Sequence, residues 1–417
     1  MLQTDSNFSH KWYPAVTPGG LELSLERLES WLEQRGFDGH DPHDALRSPL
    51  VRALSFDSRW LAVAWVQLLR RSPLDLRRLL RVRPGYNPKG MGLFLAAYVR
   101  RYRMTGEPRD RERMDYFATW LRQNRCAGFQ EACWGYNFDW PNRAFFAPAG
   151  TPTIVNTTFV AHAFLDRHEL GGASDDLAIA QSACDFMLRR LAMMEEPPGA
   201  CFSYTPLDRR RVHNANMLGA GLLARVGSLT GQRRLLERAR QAVLYTAARQ
   251  SPDGSWPYGA AASEGWIDNL HTGFVLTALL DYTRYSEDSS FADCLERGYS
   301  FWRAAFFTAE KLPKYYAGKL YPIDAHALAQ AVLTLLAFSG RDPSAAADAW
   351  RLAEWAGAHM QDETGYFHYR IGRHLRNRIP YIRWSQAWMF RALAECLSAR
   401  RHGDRQLALI DGGKRSR

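Results

Sequence analysis

Six side chains of this 417-residue chain have the type and placement for acid–base chemistry: Asp139, Glu264, Asp268, Asp324, His271 and His326. An aspartate precedes a histidine by three residues in Asp268-Asn269-Leu270-His271 and by two in Asp324-Ala325-His326. Two carboxylates facing each other across a cleft cleave a glycosidic bond, one as acid and one as base or nucleophile. Histidine titrates near neutral pH and moves protons in either direction. Each residue also has a plainer reading. Asp is a preferred helix N-cap, which accounts for Asp268 and Asp324 without catalysis, and a lone buried histidine is usually structural. Asp139, in Tyr136-Asn137-Phe138-Asp139-Trp140, and Glu264, after Ala-Ala-Ala-Ser, are less readily caps.

Aromatic and cationic side chains recur beside these acids. Trp134, Tyr136, Trp140, Trp256, Tyr258, Trp266, Tyr381 and Trp384 are candidate sugar platforms, because a planar ring stacks on the C–H face of a pyranose. Arg383, in a run with Arg370, Arg373, Arg376 and Arg378, is a candidate grip for a substrate carboxylate, which a guanidinium binds through two parallel hydrogen bonds. The competing reading is hairpin packing for the aromatics and surface charge for most of the arginines.

The elements that position them are read from an internal repeat. Asn156, Asn216, His271, His326 and Gln386 are spaced 60, 55, 55 and 60 residues apart, and each opens an apolar stretch rich in Ala, Gly, Leu and Val. Turn signals such as Thr105-Gly106, Gly171-Gly172, Thr230-Gly231 and Ser339-Gly340 follow those stretches and precede more charged, amphipathic ones. Gly-plus-aromatic loops, such as Trp134 to Phe138, Gly199 to Tyr204, Gly254 to Tyr258 and Gly365 to Tyr369, then lead into the next apolar helix. With a further inner helix opening near Lys89, this predicts an all-α fold: a closed α/α barrel of about six helical hairpins, an open solenoid being the rival. Asp57 to Arg71 is a candidate for the sixth outer helix. Residues 1–56 read as an N-terminal helical extension, 57–401 as the barrel, and 402–417 as a flexible basic tail. The loops and inner-helix N-termini share one end, so the candidate site residues are expected there.

Composition narrows the field. The chain has 54 Lys+Arg against 43 Asp+Glu, a net charge of +11, which fits an anionic partner or simply an arginine-rich genome. The Leu69–Arg83 run mixes Leu and Arg at helical spacing and reads as a solvated helix face rather than a nucleic-acid stripe. No apolar run is long enough for a transmembrane segment. The first residues lack a basic segment followed by an apolar one, so a cytoplasmic protein is expected. The six cysteines form no Cys-x-x-Cys pair and read as reduced thiols. No phosphate-binding glycine loop, dinucleotide fingerprint, metalloprotease helix or nucleophile elbow occurs, so no cofactor and no metal is expected.

Two resemblances follow. Gln250 to Trp256 resembles the Gln…Gly-Ser-Trp repeat of terpene cyclases, without their acidic cluster. More widely, over residues 85–400, the chain resembles bacterial polysaccharide-biosynthesis proteins of the VpsJ type, within the superfamily of six-hairpin glycosidases and uronate epimerases. Cys133 to Trp140, Phe145-Phe146-Ala147-Pro148 to Thr153, Gly254 to Gly259 with Trp266 to Phe274, and Arg383 to Trp388 carry that resemblance. It implies a role in making or modifying exopolysaccharide or another surface glycan. The expected partner is an oligosaccharide or polysaccharide of anionic character, together with polysaccharide-synthesis machinery. Hydrolysis is the leading chemistry. Uronate epimerisation or elimination, a non-catalytic glycan-binding subunit and an isoprenoid-handling enzyme are the alternatives.

Overall fold

A computed structural model describes residues 20–141, 146–171 and 174–414, those from 402 onward by backbone alone. Residues 1–19 of the expected extension, Phe145, Gly172 and residues 415–417 of the expected tail lie outside the described residues. In chain order, α1 is Gly20–Glu33, α2 Pro49–Leu54 and α3 Arg59–Arg71. Five hairpins follow: α4 (Pro88–Thr105) with α5 (Pro108–Gln123), α6 (Ile154–His168) with α7 (Ser174–Arg190), α8 (His213–Thr230) with α9 (Arg233–Ala247), α10 (Asn269–Ser286) with α11 (Ala292–Ala305), and α12 (Ala325–Ala337) with α13 (Ala345–Met360). A π-helical turn, Ile382–Ala387, leads into α14, Trp388–Lys414.

The first helix of each hairpin is apolar all round. Every residue of α4 from Pro88 to Val99 is buried, as is every residue of α8 from His213 to Gly227. Such helices need neighbours on all sides, and they obtain them by closing a ring: α4 packs on α6, α6 on α8, α8 on α10, α10 on α12, α12 on α14, and α14 back on α4. The second helices bury one stripe only, such as Leu235, Ala239, Ala242 and Val243 of α9, and form the outer layer. Gly106 (φ 71°) and Gly231 (φ 69°) end α4 and α8 in the left-handed conformation that favours glycine, making the tight turn to the outer helix. The fold is an α/α toroid, as the repeat predicts.

The sixth outer helix differs from expectation. It is α1, which packs on α14 and α13 through Leu21, Leu25, Leu28 and Leu32, a helical stripe. The ring is thus closed by joining the two ends of the described chain. Asp57 to Arg71 does not supply it. Instead α3 turns Ala62, Val66 and Leu69 onto a separate small core with Ala45, Leu46, Val51 and Val82. That cap spans the connection from α1 to α4, at the end carrying the inner-helix N-termini. At the other boundary, α14 runs unbroken past residue 402 to Lys414.

A belt of backbone hydrogen bonds stitches this end together. Ile154, His213, Asn269 and Ala325, each the first residue of an inner helix, donate N–H to the carbonyl oxygens of Tyr204, Tyr258, Tyr315 and Tyr369 in the next hairpin loop, at 3.0–3.1 Å. The belt also fixes the repeat register, and it corrects the sequence alignment by a residue in places. Asn156 and His271 are equivalent, but Asn216 lies one position later in its helix and His326 one position earlier. One residue is about 100° of helix rotation, so these anchors open the same end while their side chains take different roles.

Candidate active site at the N-terminal end of the ring

Asp268 is the N-cap of α10: its Oδ1 accepts from the His271 backbone N–H at 2.8 Å. Its other oxygen, Oδ2, lies 2.7 Å from His271 Nδ1. Capping and ring orientation are therefore both met by one carboxylate that is 2% exposed. An ionised carboxylate only accepts, so Nδ1 is the donor of this contact, and in the neutral imidazole that tautomer leaves the lone pair on Nε2. The His271 side chain keeps 25% of its exposure. Around it, Tyr258 meets the imidazole edge-on at 4.7 Å and stacks on Trp266 at 4.5 Å. Trp266 is 40% exposed, a ring open to solvent beside a positioned base. A void of about 10 Å³ lies between Asn214, Tyr258, Trp266, Asp268 and His271, room for about one water.

The other three candidate acids are committed elsewhere. Asp324 caps α12, accepting from the N–H groups of His326 and Ala327; it also takes Arg370 Nε at 2.5 Å and Trp384 Nε1 at 3.1 Å. Glu264 accepts from Arg210 Nε at 2.7 Å, and Asp139 pairs with Arg52 at 2.8 Å and accepts from Ala149 N–H. Each of the three carboxylates thus has a guanidinium as its partner. The expected pair of facing acids is therefore replaced by three ion pairs and one Asp–His dyad.

Arg383 is likewise taken. It forms a two-pronged ion pair with Asp41, at 2.6 and 2.9 Å, with both side chains 4% exposed. Burial raises the Asp41 pKa, but Arg383 and His43 outweigh it and hold the carboxyl well below the usual range. The guanidinium stands over the rings of Tyr136 and Trp384 at 5.2 and 5.3 Å, bracing the cap rather than waiting for a substrate carboxylate.

The aromatic candidates divide. Trp134 is fully buried, its Nε1 donating to the Leu121 carbonyl at 2.9 Å, and Trp256 donates in the same way to Thr246 at 3.0 Å. The Trp256 ring lies so close to Gly298 that a Cβ there would stand 2.6 Å from it. Both are hairpin-to-outer-helix packing, not platforms. Tyr381 is buried beneath Arg77 at 4.6 Å. Trp384 donates to Asp324 and meets His326 edge-on at 4.8 Å. Tyr136 and Trp140 form a partly buried cluster with Phe138 and Tyr204. Among the tryptophans proposed as platforms, Trp266 has the accessible face.

Nearer the ring axis lies His326, beside a lysine that sequence reasoning missed. His326 is 2% exposed with neither ring nitrogen hydrogen-bonded to a described residue, stacked on Trp388 at 4.4 Å. Burial, then the nearby Lys89 and Arg383, hold its pKa well below the ordinary value, so it is neutral. Lys89, in the first turn of α4, places its ammonium nitrogen over Phe159 at 4.2 Å, Trp388 at 5.1 Å and Phe274 at 5.4 Å. It forms no ion pair with a described residue, and burial, reinforced by Arg383, depresses its pKa strongly. Phe274 bridges outward, with His326 at 6.0 Å on one side and His271 at 6.3 Å on the other. Three nitrogen bases thus line one aromatic path. Lys89 carried no signal beyond its place at a helix start, since its cage comes from three helices distant in sequence. Among the described residues no group of three or more His, Cys, Asp or Glu is placed to hold a metal. All six cysteines are buried and free, and among the described residues no helix is long and apolar enough to cross a membrane.

No family model and no curated protein matches the chain by sequence. Solved structures do match by fold. A crystal structure of D-mannose isomerase is similar over 94% of this chain and all of its own, with a TM-score of 0.61 and 13% identity. Cellobiose 2-epimerase from Bacillus thermoamylovorans covers 75% of this chain and 88% of its own, with a TM-score of 0.60 and 10% identity. An unsaturated glucuronyl hydrolase specific for heparin covers 92% of this chain and 97% of its own, with a TM-score of 0.60 and 11% identity. At these identities the likeness establishes the architecture alone: the chain shares the α/α-toroid fold of these structures.

Proposed function

We propose that this protein is a carbohydrate-active enzyme that moves a proton at a sugar carbon, an epimerisation or isomerisation of a reducing sugar. The observation that carries the reading is the Asp268–His271 dyad at 2.7 Å, beside the open ring of Trp266, in a site whose other candidate acids are held by arginines. Proton abstraction next to a carbonyl needs one positioned base and a donor for the oxygen that gains charge. His271 Nε2 is the base and Asp268 keeps it in the right tautomer. His326 and Lys89 supply the second proton carrier and the donor to the oxygen, and Trp266 carries the sugar face. Two solved structures of this fold are a mannose isomerase and a cellobiose 2-epimerase, which supports the reading. Glycoside hydrolysis is the second reading, favoured by the glucuronyl hydrolase of the same fold. The resemblance to VpsJ-type proteins supports a role in making a surface glycan inside the cell.

The test is turnover of reducing mono- and disaccharides by wild type, Asp268→Asn and His271→Gln, with products resolved by chromatography. Asn still caps the helix through its amide oxygen but cannot reproduce the ionised acceptor for Nδ1–H. Both variants are expected to melt within a few degrees of wild type and to lose about two or more orders of magnitude in kcat. Full activity in Asp268→Asn would make Asp268 a cap only. Shortened oligosaccharides as products would establish the hydrolytic reading instead.

A further inference from the structure

The cap carries a surface that neither the fold nor the proposed reaction uses. Its helix α3 is apolar on two faces. Ala62, Val66 and Leu69 face the small core, while Trp60, Leu61, Ala64 and Leu68 face solvent at helical spacing. Exposed apolar side chains continue on either side of it. Of the fifteen large hydrophobics left exposed among the described residues, eight fall between Leu50 and Leu79, including Phe56 at 77% and Trp60 at 59%. Exposed apolar side chains concentrated in one segment in this way mark an interaction site.

The same segment is strongly basic. Residues 50–83 hold eight arginines against two aspartates, a net charge of +6 in a chain of +11. Arg71, Arg78, Arg81 and Arg83 form no ion pair with a described residue. Arg78, Arg81 and Arg83 converge on a cleft of about 620 Å³, shared with Leu50, His40 and the single carboxylate Asp75. The cap is tied to the site end of the ring by Arg52–Asp139 and by Asn377 Nδ2 donating to the Ser72 carbonyl at 2.9 Å. Its outer apolar face is left exposed beside these ties.

We infer that this face docks on a membrane surface rich in anionic phospholipid, with Phe56, Trp60 and Leu68 entering the interface and the arginine cleft receiving headgroup phosphates. An amphipathic helix with aromatic and leucine residues outward and arginines at its flank lies in the interface plane, and each basic group near an anionic surface adds to the attraction. Charge complementarity selects this occupant over a second copy of the chain. A symmetric pairing would set one +6 patch against another, which repels. Docking would turn the end of the ring that carries His271 toward the lipid, and it stands or falls independently of the reaction assigned there.

The experiment is co-sedimentation of the full chain with phosphatidylcholine vesicles, pure or containing about a third phosphatidylglycerol. Phe56→Ser/Trp60→Ser and Arg78→Gln/Arg81→Gln/Arg83→Gln are run beside wild type, with melting curves. Wild type is expected to bind the anionic vesicles, to be released by added salt, and to ignore the neutral ones. Each variant should melt like wild type and bind at least about tenfold more weakly. The inference is overturned if wild type ignores anionic vesicles or binds neutral ones equally well. It is also overturned if stably folded variants bind unchanged, or if the chain is a dimer in solution that Phe56→Ser/Trp60→Ser dissolves.

Discussion

At the residue scale, burial separates aromatic side chains that read alike in sequence. Trp134 and Trp266 both lie in glycine-containing loops ahead of an inner helix. Trp134 is fully buried with its N–H satisfied, whereas Trp266 presents a face beside His271. Trp134→Ala is expected to cost about 3–5 kcal/mol of stability through the cavity it leaves, with activity following the folded fraction. Trp266→Ala should leave the melting temperature nearly unchanged and raise KM several-fold. Paired melting and kinetic curves check both. The Asp268–His271 dyad was partly legible, because a cap and a histidine one turn into the same helix are local. The Arg383–Asp41 pair was not. Its partners are 342 residues apart, and nothing in either neighbourhood names the other. Arg383 consequently read as free to hold a substrate, while the structure uses it to anchor the cap.

At the element scale, the repeat disclosed the inner helices because apolarity on every face, recurring at regular spacing, requires a helix enclosed by neighbours. The closure of the ring was harder to read. Pairing each inner helix with the outer helix that follows it leaves α14 without a partner, and the partner is α1, at the opposite end of the sequence. Segment 57–71 has a similar amphipathic pattern, but its apolar positions serve a local core. This assigns α1 a structural burden. Removing residues 1–33 would expose the α14 surface covered by Leu21, Leu25, Leu28 and Leu32, all at most 4% exposed. Such a truncation is expected to abolish cooperative unfolding and to aggregate, as thermal denaturation and light scattering would show.

At the scale of the whole molecule, the buried polar groups set a pH dependence. Burial pushes the pKa of His43 and His213 down to about 4 and of His162 to about 3, and holds His326 well below its ordinary value. Histidine in the unfolded chain has a pKa of about 6.5, so below that pH the unfolded state binds more protons. Folding stability must therefore fall as pH drops from about 6.5 toward 4, by up to about 1.4 kcal/mol per pH unit for each such histidine. Asp281, pushed up to about 6 by burial, and Asp176, also raised by burial, oppose this above their unfolded value. Asp41 and Asp166 titrate lower still and do not enter that window. Melting temperatures between pH 7 and 5 should decline steeply, and a flat profile would show that these histidines are not held neutral. The central claim, proton transfer by His271, is tested most directly by incubating wild type and His271→Gln with reducing sugars in deuterium oxide and following the hydrogen on the carbon next to the carbonyl by proton NMR. Wild type is expected to exchange that hydrogen for solvent deuterium, while His271→Gln, equally folded, does so at least about a hundredfold more slowly. Product formation by wild type with that hydrogen fully retained, or exchange undiminished in His271→Gln, would contradict the claim.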